Sequence, residues 1–157
     1  MKKRALCVLL VVGVLALSVG LVAAASGSIT TMFAFNNGAL GNMFDITAAE
    51  DITITGFDIN IDTPGASNLV LVYYKQGSYV GSETTAGDWT LLGSATVTSN
   101  GEDVPTPLAV GGLTIPAGET YGLFITLDYA SYVSLMVYTD GANTYSNSQV
   151  TLDLGVG

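Results

Sequence analysis

Two sets of side chains in this sequence have the types and spacing to do chemistry. The first is Asp58-Ile59-Asn60-Ile61-Asp62, with an oxygen-bearing side chain at every second position. Hard cations such as Ca²⁺ take six to eight oxygen ligands, and D-x-N-x-D opens an EF-hand calcium loop. The match then fails, because Thr63 stands where that loop needs Gly and Leu69 where it needs a bidentate Glu. The cofactor reading is therefore none, beyond a structural Ca²⁺ on Asp58, Asn60 and Asp62 or bridging loop carboxylates. The second set is aromatic: Tyr73, Tyr74, Tyr79, Trp89, Tyr138 and Tyr145. Sugar-binding sandwiches use exposed rings as flat platforms, flanked by Asn, Asp and Gln. Trp89 is in phase with Leu91 and Val97, and Tyr121 with Leu123 and Ile125, which assigns both to the core. Tyr79, Tyr138 and Tyr145 are left as the candidate ligand-binding residues.

Catalytic chemistry has little to draw on. The chain has no His, and its one cysteine, Cys7, lies in the apolar opening stretch. Nucleophile–base systems rest on His or on an activated Lys, Cys or carboxylate. Lys75 adjoins Tyr73-Tyr74 and reads as a solvated edge or loop lysine. Paired carboxylates can hydrolyse glycosides. Asp58/Asp62, Glu50/Asp51 and Glu102/Asp103 are close in sequence, but on strand faces and in loops such pairs read as surface charge. No catalytic residue is assigned, and the chain is expected not to be an enzyme; a glycoside-acting enzyme is the third reading.

The elements that must position these residues begin after residue 25. Lys2-Lys3-Arg4 precedes an apolar run from Ala5 to Ala25 with small residues at Ala23 and Ala25. This is the pattern of a secretory signal peptide, residues 1–25, cleaved after Ala25. An uncleaved membrane anchor is the alternative, since the run is about 20 residues long. The expectation is a secreted or cell-surface protein, with no membrane contact after cleavage and one domain over 26–157. That domain holds one cation, Lys75, against 13 carboxylates, a net charge of about −12 that repels nucleic acid. Without ion pairs to draw on, the fold must rest on apolar burial and sheet hydrogen bonds.

The apolar pattern has period two almost throughout. Ile29–Phe35, Gly41–Thr47, Ile52–Ile61, Leu69–Lys75, Trp89–Val97, Leu113–Ile115, Tyr121–Leu127, Tyr132–Thr139 and Gln149–Leu154 read as about nine strands. Thr55-Gly56 interrupts the phase within the third, which predicts a β-bulge. Leu69–Lys75 is apolar on both faces, which predicts cover by the core on one side and by a loop or partner on the other. Pro116-Ala117-Gly118 reads as a hairpin turn and Asn100-Gly101 as another turn, while Glu102–Pro107, with two prolines, reads as a loop. Short strands with turns every 8–14 residues and no long helix predict an all-β, antiparallel β-sandwich, jelly-roll or Ig-like.

The ordered segments T-T-M-F-A-F-N-N-G (30–38), G-N-M-F-D-I (41–46), I-T-G-F-D (54–58), V-Y-Y-K (72–75), W-T-L-L-G (89–93), P-T-P (105–107), G-G-L-T-I-P-A-G-E-T-Y-G-L (111–123) and T-Y-S-N (144–147) carry a resemblance. Together they resemble a widespread family of bacterial secreted β-sandwich modules of unassigned function, often found within larger surface or exported proteins. The resemblance implies no catalytic residues. Relatives run on past the last strand into a further apolar segment and often a sorting tail, so it also implies a fragment or a domain lacking a final strand. The expected function is a non-catalytic surface or extracellular structural or adhesion module, with extracellular polysaccharide or other surface proteins as partners. A carbohydrate-binding module is the alternative.

Overall fold

The computed structural model describes residues 26–139, 141 and 143–155. The predicted leader at 1–25, with Cys7, and two residues of the turn at 140–143 lie outside the described residues. The described chain is all-β. Its strands are β1 (Asn37–Ala39), β2 (Gly41–Ala48), β3 (Ile52–Ile54), β4 (Phe57–Ile61), β5 (Ser67–Gln76), β6 (Thr90–Thr98), β7 (Gly101–Leu108), β8 (Leu113–Ile115), β9 (Thr120–Leu127), β10 (Met136–Tyr138), β11 (Thr144–Ser146) and β12 (Val150–Leu154). A single 3₁₀ turn at Ala86–Asp88 precedes β6. Among the described residues no helix is long and apolar enough to cross a membrane.

Six strands form one layer in the order β11-β12-β2-β9-β5-β6, and β1-β10-β4-β7 with the pair β3-β8 forms the other. Named strands pair antiparallel throughout. Alternation explains the packing. Val70 and Val72 of β5, Val97 of β6 and Ile125 and Leu127 of β9 meet Ile59, Ile61, Leu108 and Met136 from the facing sheet. Ile46, Ala48, Leu123 and Leu152 of the large sheet meet Leu113 and Ile115 of β8. Ile61, Val70, Val72, Ile115 and Leu123 are fully buried. The antiparallel sandwich read from the sequence is the observed architecture.

The twelve strands differ from the expected nine in specific places. β1 and β11 are three residues each, too short for alternation to reveal. Glu102–Pro107 lies within β7, where Pro105 and Pro107 are tolerated because β7 pairs on one side only. The break at Thr55-Gly56 is more than a bulge. There the chain leaves the β3–β8 pair for the β4–β7 pair, and the partner side spends four residues, 109–112, on the same step. Gly111 is required at that step, since a Cβ would stand 2.5 Å from the Thr55 carbonyl. Ile29–Phe35 is extended but joins no sheet; it is held by side chains, at Tyr145 and Asn60, rather than by a ladder.

Pro116-Ala117-Gly118 is a turn but not a hairpin. Gly118 has φ of 81° and the Glu119 N–H donates to Pro116 O, as in a type II turn. β8 and β9 nevertheless belong to different layers. The turn is tied instead to the β2–β3 connection, with Gly118 N–H donating to Ala48 O and Ala117 N–H to Asp51 Oδ1. Asn100-Gly101 likewise carries the chain between layers.

Candidate functional site

The outward face of the six-stranded sheet carries a row of rings. Tyr73 stacks on Phe124 at 6.0 Å, and Trp89 packs against Phe124 at 5.8 Å. Trp89 is thus half-buried on the outer face, not in the core. The β5–β6 register shifts at Val72/Tyr73 and leaves Leu92 as an extra residue. Trp89 and Leu91 lie before the shift and face outward; Val97 lies after it and faces inward. The connection from Gly77 to Asp88 folds back over this face, supplying the cover that the two-sided apolar β5 predicts.

A buried carboxylate holds that cover in place. Asp45 accepts from Ser78 Oγ at 2.5 Å and from the Tyr79 N–H at 2.9 Å. Lys75 Nζ donates to Ser78 O, and the Gly122 N–H donates to Gly77 O. Tyr79 lies directly over Gly122, where a Cβ would stand 2.8 Å from the Tyr79 nitrogen. Burial first, then the charges of Asp45 and Glu83, raise the Tyr79 phenol above its ordinary value of 10.0. Farther along, Trp89 Nε1 donates to Ser82 O, and Ser82 Oγ to Asp88. Lys75 and Tyr79 are therefore parts of one latch.

Tyr138 and Tyr145 lie elsewhere. Both are half-buried at the mouth of a cavity of about 840 Å³ between the layers, on the side of β11 and β12. The structure does not bring Tyr79 together with them. Phe44, Ile46, Ile54, Phe57, Ile125 and Leu152 line the interior, and residues 26–33 pass over it. Tyr145 Oη accepts from the Met32 N–H, and Asn60 Nδ2 donates to Phe33 O.

Asp58, Asn60 and Asp62 do not converge. Extended geometry separates Asp58 from Asp62 by roughly 13 Å along the chain, whereas one Ca²⁺ holds its oxygens at about 2.4 Å. Asn60 lies between the core residues Ile59 and Ile61 and is covered by the extra residues that β7 places opposite them; its Oδ1 accepts from the Asp103 N–H at 3.0 Å and its Nδ2 donates to Phe33 O. Asp62 accepts from the Leu135 N–H and from Thr63 Oγ1. Among the described residues no group of three or more carboxylate, His or Cys side chains could hold a metal.

Two features escape the sequence reading. Tyr129 and Tyr132, 80% and 44% exposed, form a ring pair at 6.1 Å in the β9–β10 connection, next to exposed Val133 and Leu135. The D-Y-A-S-Y spacing at 128–132 was their only signal. The other is β6. It pairs only with β5 and is nine residues long, T-L-L-G-S-A-T-V-T, without a charge or a proline. One free edge of the other layer, β7, carries Glu102, Asp103, Pro105 and Pro107, and the opposite edge, β1, is only three residues long. Charges and prolines block edge pairing, so β7 is guarded and β6 is not.

Set against known proteins, the chain matches no protein-family model and no curated relative.

Proposed function

We propose that this protein is a non-catalytic exported module that serves a surface or extracellular structural role by pairing its β6 edge with another extended chain. The observation that carries the reading is the long, uncharged, proline-free edge of β6 beside a guarded β7. An unpaired edge is a template for strand addition, in which main-chain hydrogen bonds supply affinity. The acidic surface supports the same reading, because it keeps a domain with a sticky edge soluble until a partner is met. The apolar leader with its basic start supports export.

Sedimentation velocity from micromolar to near-millimolar protein, wild type against Ser94→Lys/Thr96→Lys, tests this. Both positions are exposed. Wild type is expected to associate with rising concentration and the double variant to stay monomeric at unchanged fold. Equal behaviour of the two would sink the proposal.

Carbohydrate binding is the second reading, and the exposed Tyr129–Tyr132 pair favours it. The two rings, with Asp128 and Ser131 beside them, form a small platform. A glycan-array signal that disappears in Tyr129→Ala/Tyr132→Ala would support it.

A further inference from the structure

The cavity between the layers is built unlike the rest of the core. At about 840 Å³ it falls in the range of small-molecule sites. It is lined by residues of β2, β9 and β12 on one side and of β3, β4 and β10 on the other. Of the amides in that lining, Asn60, Asn147 and Gln149 have hydrogen-bond partners in the protein, whereas Asn42 stands in register with Ile125 on the inner face. Its Oδ1 is buried and without a hydrogen-bond partner among the described residues. Natural cores rarely leave such an acceptor unmatched, so each one needs an explanation.

The cover over this cavity has its own pattern. Ile29, Thr31 and Phe33 are half-buried, while Ser28, Thr30, Met32 and Ala34 are exposed. The segment thus turns one face inward as a strand does, yet joins no ladder. It is tied through side chains, at Tyr145 and Asn60, and through Thr139 Oγ1, which donates to Ala34 O. Such a strap can lift without breaking a sheet.

Charge narrows what enters. Asp51 and Asp58 lie at the rim, both exposed, and no Lys or Arg is in the described lining. Lys75 is on the outer face of the large sheet. An anion would be buried without a partner, at high cost. A cation would find no carboxylate in the interior.

We propose that this cavity is a binding site for an uncharged apolar molecule with one hydrogen-bonding head group, anchored at the Asn42 amide under the 29–33 strap. The site is at the β11–β12 side of the large sheet, opposite the β6 edge, so it stands or falls independently of strand pairing.

The test uses 1-octanol and octanoate, chains of equal length that differ in head-group charge. Each is titrated into the domain below its aggregation limit, and the melting temperature is followed. A ligand bound to the native state alone raises that temperature in a saturable way. Octanol is expected to do so, with octanoate at least about tenfold weaker. Asn42→Leu is expected to weaken octanol by about three- to tenfold, the worth of one neutral hydrogen bond. Ile54→Trp, or Leu154→Trp should the first not fold, fills the cavity and is expected to abolish the shift. No saturable shift with octanol would overturn the proposal, as would equal shifts with octanoate or a shift that survives both filling variants. A melting temperature that rises with protein concentration but ignores octanol would mean that the strap of a second copy takes the space, which also overturns it.

Discussion

Gly122→Ala tests whether the 77–89 connection is a fixed part of the domain. Residue 122 lies on β9 beneath Tyr79, and a Cβ there would stand 2.8, 3.0 and 3.1 Å from the Tyr79 N, Cα and Cβ. Carbon contacts are comfortable at about 3.5 Å and beyond, and two of these three neighbours are backbone atoms. No side-chain rotation relieves the clash, so the latch must lift by roughly half an ångström or more. Lifting stretches the Ser78 and Tyr79 hydrogen bonds to Asp45. Bonds to a charged group contribute about 1.5–3 kcal/mol each, and overpacking itself costs about 1–3 kcal/mol. With part of each bond retained, the expected loss is about 2–4 kcal/mol. Urea unfolding followed by Trp89 fluorescence measures it, since Trp89 packs on Phe124 under the same connection. Gly87→Ala is the control. It lies in the same connection, but its added Cβ meets nothing within 4 Å, so a change within about 0.5 kcal/mol is expected. If Gly122→Ala costs no more than Gly87→Ala, the connection is not seated on the sheet as described, and the latch argument fails.

Other expectations follow from the same contacts. Leu123→Ala and Ile61→Ala, both fully buried, should each lose about 2–5 kcal/mol in the same urea assay. The Tyr79 phenol is raised by burial, Asp45 and Glu83, so the native state holds that proton more tightly than the unfolded chain. Stability from this group is complete below about pH 10 and falls as pH rises through the native value; Tyr79→Phe should flatten that alkaline decline in pH-dependent melts. Tyr129→Ala/Tyr132→Ala should leave the melting temperature within a degree or two, because both rings are exposed. Because Asp58, Asn60 and Asp62 are spread along β4 and the residue that follows it, millimolar Ca²⁺ and NaCl of matched ionic strength should shift the melt alike, as screening predicts. A Ca²⁺-specific rise would contradict that placement.

Much of this fold could be read from side-chain alternation. Leu69–Lys75, apolar on both faces, announces both the core and the cover, and the structure supplies each. Alternation fails where the backbone adds a residue. The extra Leu92 reverses the facing of Trp89 and Leu91 relative to Val97, and no local signal in T-L-L-G marks it. The extra residues that β7 places opposite Ile59/Ile61 cover Asn60 and tie its amide to Asp103 and Phe33, which takes it from the row that the sequence suggests for a cation. Pro116-Ala117-Gly118 specifies a turn, but a hairpin and a crossing between layers need the same turn chemistry. What decides is the partner of Leu113–Ile115, which is Ile52–Ile54, some 60 residues away. The unguarded edge of β6 depends on the order of strands in the sheet, a property of topology that its composition cannot display.

The most direct test of the central claim is amide hydrogen exchange across β6 as a function of protein concentration. At an unpaired edge, alternate amides face solvent and exchange rapidly, while their neighbours are protected by β5. The account predicts that the outward amides of Thr90–Thr98 exchange fast in dilute protein and become protected as concentration rises, with β7 unchanged. Protection that stays constant in β6 while the protein associates would place the contact elsewhere and contradict the role assigned to this edge.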